Sequence, residues 1–124
     1  MITGINHVTV IASDSKATLN FYEDILGLKV GYRPDLGFDG AWLYTGETVV
    51  VHLCFDRPVP NPPAGVIDHM AFTTQNLKNV TSVFDKQDYP YKLKHRENGS
   101  WQLFCHDPNG AKIELNFVAK ESLD

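Results

Sequence analysis

The sequence predicts an α+β fold made of two tandem βαβββ modules, and three observations predict it. The first is an internal offset of 62 residues: His7 plus 62 is His69, and His52 plus 62 is Glu114. Around those positions Asn6-His7-Val8 matches Asp68-His69-Met70, Phe21-Tyr22-Glu23 matches Val83-Phe84-Asp85, Trp42 matches Phe104, Leu53 matches Leu115 and Phe55 matches Phe117, all without a gap. Self-similarity at one fixed offset is the mark of a repeated supersecondary unit. The second observation is period-two alternation in short β-branched runs, the pattern of half-buried strands. The third is a pair of segments with helical start and stop signals, each at the same place in its copy.

Residues 5–11 (INHVTVI) read as a strand by β-branched content. Ser13-Asp14 supplies a helix N-cap, and the helix runs to about Leu26, with Leu19, Tyr22 and Leu26 on one face, widened by Phe21 and Ile25, and Gly27 as its stop. Strands follow at 28–33, 40–45 and 48–56, the last two joined by a tight turn at Gly46-Glu47. The second copy repeats the order: a strand at 67–73, a helix from about Leu77 to Gln87 stopped ahead of Pro90, and strands near 91–96, 101–106 and 110–118. Asp107-Pro108-Asn109-Gly110 is a strong turn sequence. Module one thus spans about 4–57, a Pro-rich linker 58–66, and module two about 67–119, within one domain. Lys120 to Asp124 reads as a frayed end.

Alternation sorts the side chains. Val8 and Val10 oppose Ile5, His7 and Thr9, while Val49, Val51, Leu53 and Phe55 oppose Val50, His52 and Cys54. In the second copy Ile113, Leu115 and Phe117 oppose Lys112, Glu114 and Asn116. The apolar faces are expected on the helices. His7, His52, His69 and Glu114 all fall on the other face, the one free to curl around a cavity. Two repeat-related pairs of metal-ligating residue types on one face point to a four-ligand centre.

At 124 residues the chain is long enough to bury a core without disulfides. A net charge of -4 argues against nucleic-acid binding as the main task, which wants a basic face. No apolar run reaches the roughly 18 residues of a membrane span, and the N-terminus lacks a signal-peptide pattern. Cys54 and Cys105 do not form a disulfide framework and are read as reduced thiols in a cytoplasmic protein. Cys54 is expected as a small buried hydrophobe. Trp42, Tyr44, Trp101 and Phe104 are expected mainly as strand core. Arg96, Gln102 and His95 lie near the cleft strands of the second copy, and the mixed-charge run Lys92 to Glu97 reads as an exposed strand.

The pattern resembles the vicinal oxygen chelate superfamily, which includes glyoxalase I, fosfomycin-resistance proteins, methylmalonyl-CoA epimerase, extradiol dioxygenases and bleomycin-resistance proteins. The resemblance covers about residues 4–118 and rests on Gly4-Ile5-Asn6-His7-Val8, Phe21-Tyr22-x-x-Ile25-Leu26-Gly27-Leu28, Ile67-Asp68-His69 and Asp107-Pro108-Asn109-Gly110-x-x-Ile113-Glu114-Leu115. It implies paired βαβββ units forming a curved cleft around a divalent metal. His7, His69 and Glu114 match the family's recurrent His, His and Glu ligands. His52 falls where glyoxalase I has Glu and the epimerase has Gln. The bleomycin-resistance members lack the metal site, whereas this chain keeps all four positions.

Neutral imidazoles and a carboxylate suit one divalent ion among Zn, Ni, Mn, Co and Fe(II). The expectation is a metal-dependent enzyme of small-molecule metabolism with lyase or isomerase chemistry, His52 and Glu114 doubling as its catalytic residues, and a homodimeric assembly. An extradiol-type Fe(II) dioxygenase acting on a catechol is the alternative, since three ligands leave positions for substrate and dioxygen. A non-enzymatic binding protein for a drug or metabolite is the second alternative. If His52 binds the ion, redox-neutral chemistry is favoured; if it stands back, oxygen activation is.

Overall fold

The computed structural model describes residues 1–55, 57–63, 65 and 67–124. Two compact units, Met1–Pro63 and Ala64–Asp124, each carry one four-stranded sheet. In the first, β1 (Val8–Ile11) is followed by α1 (Ser15–Leu19), which continues as a π-helical stretch over Asn20–Ile25, then by β2 (Lys29–Gly31), β3 (Gly40–Thr45) and β4 (Thr48–Cys54). In the second, β5 (Met70–Thr73), α2 (Leu77–Lys86), β6 (Lys92–His95), β7 (Trp101–His106) and β8 (Lys112–Phe117) repeat that order. The predicted βαβββ order and α+β class therefore hold in both copies. The end of the predicted strand 48–56 and two positions of the linker, 64 and 66, lie outside the described residues. Among the described residues no helix is long and apolar enough to cross a membrane.

The sheet orders are β1-β4-β3-β2 and β5-β8-β7-β6. β1 runs parallel to β4, and β5 to β8, because a helical crossover separates them in sequence. The registers keep the offset of 62: Val8 pairs with Val51 and Met70 with Ile113, while Trp42 pairs with His52 and Phe104 with Glu114. β4 and β8 are thus central strands, and their alternate residues Val51, Leu53, Ile113 and Leu115 are buried. Phe21 and Tyr22 are fully buried in the first unit, Leu77 and Phe84 in the second. Each apolar side chain of this size contributes about 1.5–3 kcal/mol on burial, enough to dock a helix too short to be stable alone.

Two terminal expectations are corrected. The predicted strands 5–11 and 67–73 begin only at Val8 and Met70, where pairing with β4 and β8 begins. Ile5 and Ile67 are 91% and 81% exposed, outside the packed sheets. His7 and His69 therefore stand one residue ahead of β1 and β5. The end predicted to fray is held instead. Glu121 accepts the Asn76 and Leu77 backbone N–H groups at 2.9 and 3.2 Å, and Trp101 donates its Nε1–H to the Glu121 carbonyl at 3.1 Å. Asn76, at φ 66, makes no side-chain cap, so the tail carboxylate serves the orphan donors of α2.

The first helix differs from its predicted form. Asp14 caps it as expected, accepting from the Ala17 N–H at 3.0 Å. Beyond Asn20 it widens, and the buried face becomes Thr18, Phe21, Tyr22 and Ile25, with Leu19 and Leu26 only partly covered. Three hydrogen bonds locate the cause. Leu26 N–H reaches Phe21, Gly27 reaches Glu23 and Leu28 reaches Tyr22; in the second unit Gln87 reaches Val83, Asp88 reaches Asp85 and Tyr89 reaches Phe84. Each bond of the first set spans one residue more than its counterpart. The first helix therefore contains one extra residue, absorbed as a π turn. The segment joining helix to β3 returns it: Gly31 pairs with Trp42, whereas Lys92, one position earlier in the repeat, pairs with Phe104. The gapless offset in sequence conceals these two compensating changes.

Candidate functional site

The four predicted ligands form two half-sites, one per unit. In the first, the His7 and His52 rings stack at 3.6 Å between centroids and 13° between planes, and Trp42 stacks on His52 at 4.2 Å and 11°. His52 is thus held between two rings by its pairing with Trp42 across β3 and β4. In the second, His69 Nε2 lies 3.2 Å from Glu114 Oε1. Two ligands about 2.1 Å from one ion and 90–109° apart lie about 3.0–3.4 Å from each other, so this pair is spaced as neighbouring ligands would be. Among the described residues no three His, Cys, Asp or Glu side chains gather around one point. The structure brings His7 to His52 and His69 to Glu114, and goes no further than two per half-site.

Each leading histidine is backed by the residue before it. Asn6 Oδ1 accepts from His7 Nδ1 at 2.7 Å, and Asp68 Oδ2 accepts from His69 Nδ1 at 2.7 Å. An amide or carboxylate oxygen here can only accept, so Nδ1 carries the proton and, in a neutral ring, Nε2 keeps its lone pair. Lys112 Nζ approaches the same Asp68 oxygen at 3.5 Å. The hydrogen bond from His69, with Lys112 adding to it, holds the Asp68 carboxyl below its usual range. Sequence reasoning used Asn6 and Asp68 only as repeat markers. Their position directly ahead of each histidine was the signal that could have shown their role.

The trailing residues differ. Glu114 is 9% exposed, and Gln102 donates from Nε2 to its Oε2 at 3.3 Å. His52 Nε2 is buried with no hydrogen-bond partner among the described residues. Gly40 occupies the position of Gln102, and a Cβ there would meet the Leu53 carbonyl oxygen at 2.2 Å, so no side chain can serve His52 from that place. Burial first, then the nearby His7 and Arg33 charges, holds the His52 imidazole below its usual pKa and therefore neutral. A buried unpaired nitrogen costs free energy unless some partner takes its lone pair. The Glu114–His69 spacing and a neutral imidazole nitrogen suit a divalent ion, whereas the near-parallel His7 and His52 rings do not aim both their nitrogens at one point, so one ring must turn for both to bind. Arg33, absent from the sequence reading, also stacks its guanidinium 5.0 Å from the Phe38 ring.

Around Glu114 the same sheet face carries Phe104, with Lys94 and Lys112 each 5.5 Å from its ring centre. A cleft of about 790 Å³ lies on the far side of Phe104, lined by these lysines with Lys92, Tyr89 and Tyr91 and not by Glu114 or His69. Trp101 belongs to structure rather than cleft: it stacks on His95 at 3.7 Å and anchors the tail. Cys54 and Cys105 are buried free thiols, and burial with the Asp107 charge pushes Cys105 up to about 12.

Comparison with known proteins adds four findings. A family model described as Glyoxalase/Bleomycin resistance protein/Dioxygenase superfamily matches residues 4–115. The Arabidopsis thaliana protein named Glyoxylase I 4 is 32% identical over 123 residues, covering 92% of this chain and 70% of that protein. The Serratia marcescens protein named Glutathione transferase FosA is 27% identical over 120 residues, covering 94% and 82%. In structure, the fosfomycin resistance protein FosX of Listeria monocytogenes superposes with a TM-score of 0.75 at 18% identity, covering 94% of this chain and 93% of that one, a likeness of fold.

Proposed function

Because the chain belongs to the glyoxalase/bleomycin resistance protein/dioxygenase superfamily, we propose that it is a metal-dependent enzyme of lyase or isomerase chemistry. In this reading His7, His52, His69 and Glu114 hold one divalent ion, and a small-molecule substrate presents two adjacent oxygens to it. The observation that carries the reading is the His69–Glu114 pair at 3.2 Å, with His69 Nδ1 tied back to Asp68. Similarity to proteins named glyoxylase and glutathione transferase supports an enzymatic role.

A bound ion would supply Lewis acidity that polarises a substrate carbonyl. The chain's own residues do the rest. Asn6 and Asp68 aim the leading imidazoles. Gln102 holds one Glu114 oxygen so that the other faces His69. Glu114, whose second oxygen lies beside the ion, is the group placed to accept a substrate proton, and His52 can take one only where it does not bind the ion. Beside the His69–Glu114 pair, on the other side of Phe104, Lys92, Lys94 and Lys112 line a cavity with a cationic rim, which suits a substrate whose anionic group lies away from the ion.

A complete centre needs both kinds of half-site, and pairing across two chains is the assembly we favour. Each sheet leaves two edge strands, β1 and β2 in one and β5 and β6 in the other, which invite such pairing. Light scattering at high concentration is expected to give twice the 13.9 kDa chain mass; a value of one chain mass refutes the dimer. Metal content of the purified protein tests the function. Wild type is expected to retain a stoichiometric divalent ion, and Glu114→Gln and His69→Ala to lose it while remaining folded. Equal metal content in all three sinks the reading.

A further inference from the structure

The two leading histidines are backed differently. Asn6 and Asp68 are repeat partners, and each accepts from the Nδ1 of the next residue at 2.7 Å. One is a neutral amide, the other a carboxylate that is also fastened by Lys112. We propose that Asn6 and Asp68 are paired positioning residues that present His7 Nε2 and His69 Nε2 to the ion, and that amide against carboxylate grades the two imidazoles into a weaker and a stronger donor. The inference rests on the reading of these histidines as ligands.

The physical chain is short. A hydrogen bond at Nδ1 decides which nitrogen keeps the proton and fixes the ring's orientation. Without it an imidazole rotates about χ2, a broad torsion, and exchanges its tautomers. A carboxylate acceptor draws the Nδ1 proton toward itself more than an amide does, because a hydrogen bond to a charged acceptor is roughly twice as strong as a neutral one. Electron density on the ring rises, and Nε2 becomes the better donor to a cation. The trailing residues follow the same grading: Glu114, a carboxylate, stands with the strong imidazole, and the neutral His52 with the weak one. The second unit's half-site is therefore the anchor of the ion. The first unit's half-site is the labile arm, the side on which a chelating substrate displaces a protein ligand at least cost.

Two measurements test this. Nitrogen-15 spectra of the imidazoles at pH about 8, where an unperturbed histidine is neutral, read the His7 tautomer in metal-free protein. Wild type is expected to show Nδ1–H at His7, and Asn6→Ala the tautomer mixture of a free ring. Zinc affinity by competition titration reads the grading. Asp68→Ala is expected to weaken zinc about 10–100-fold and Asp68→Asn, which keeps an acceptor, less than that. Asn6→Ala is expected to weaken it by less than Asp68→Ala, and Asn6→Asp to tighten it. A thermal melt of each variant separates loss of aim from loss of fold, and a fold-neutral Asp68→Asn that binds between wild type and Asp68→Ala marks positioning. Unchanged zinc affinity in both alanine variants overturns the proposal, as does a free-ring mixture at His7 in wild type. Should wild type bind no zinc, Ni(II) or Co(II), the metal reading itself fails, while the His7 tautomer still reports on the aim of the ring.

Discussion

The two units share a frame and differ in what hangs from it. Strand order, parallel pairing and the registers around the four site positions recur at an offset of 62, while at the turn end of β3 a bulge between Leu43 and Tyr44 has no counterpart in β7. Between them the helix of the first unit is one residue longer and the segment before β3 one residue shorter. These two changes of length lie in elements that carry none of the four site residues. His7 and His69 precede the parallel strands, and His52 and Glu114 lie on the central ones, where burial of alternate residues forbids a slip of register. A repeat can absorb an insertion in a helix, whose face adapts by widening, and keep its site in place.

The sharpest break of that comparison is to remove the extra residue. Deleting Asp24, an exposed residue inside the π turn, returns the first helix to the length of the second. Everything from Gly27 onward keeps its place, so the loss in stability is expected to stay below about 2 kcal/mol, the relaxed end of core repacking. Deleting the exposed Asp85 from α2 has no surplus to draw on. It rotates the chain after Phe84 by about 100° and takes Tyr89 off its partners Phe84 and His106, an effect expected to exceed about 2 kcal/mol. Urea melts of the two deletions check this; equal losses would remove the π turn as the home of the extra residue.

A second contrast compares the trailing ligands. Glu114→Gln removes the charge of the anchoring half-site and is expected to weaken metal binding by more than about 100-fold, beyond the range of outer-shell changes. His52→Gln removes a neutral donor and is expected to cost about 10-fold. Spectra of the Co(II) protein count imidazoles in wild type and in His52→Ala. A lost imidazole keeps His52 as a ligand and redox-neutral chemistry in front; coincident spectra leave a three-ligand centre and move an extradiol-type dioxygenase to first place.

Much of this was legible because apolar residues and ligands obey the same period. The offset read at His7, His52, His69 and Glu114 is the offset of the paired strands, and the βαβββ order followed from turn and cap residues such as Asp14 and Asp107. What escaped depended on three-dimensional closure. A π turn leaves no mark in composition, and its compensation in the β2–β3 segment restored the count before β3. The anchoring of the tail through Glu121 needed the position of the α2 N-terminus, 44 residues away along the chain. The cover of His52 by Trp42 needed the cross-strand register, which a period alone does not supply.

Tyr89 offers a smaller contrast. It stands in the hydrogen-bonding position that Leu28 fills in the first unit, and its hydroxyl donates to the His106 carbonyl at 2.5 Å. Tyr89→Phe is expected to cost about 0.5–1.5 kcal/mol at neutral pH. Burial, then the Cys105 and Asp107 charges, raises the phenol from 10.0 to about 12. A folded-state pKa above the unfolded one gives stability that is whole below pH 10 and is lost as pH rises toward 12. Melts across that window are expected to fall more steeply for wild type than for Tyr89→Phe; parallel curves would show that the phenol does not carry the alkaline loss.

The smallest effect lies at the helix stops. Both helices end on a residue in the left-handed region, but the first uses Gly27 at φ 81 and the second Asp88 at φ 52. Glycine takes that conformation without a Cβ clash, whereas an aspartate pays part of the roughly 1–2 kcal/mol left-handed cost and recovers some through its short polar side chain. Against this, glycine loses more backbone freedom on folding, about 0.5–1 kcal/mol. Asp88→Gly is therefore expected to stabilise by no more than about 1 kcal/mol, and Gly27→Ala to destabilise by about the same amount. The sign carries the argument, because the gapless repeat aligns Asp88 with Leu26, a right-handed position at φ -86. If the stops correspond with the extra residue counted, Asp88→Gly raises the melting temperature. If they correspond by the sequence offset, glycine enters a helical position and lowers it.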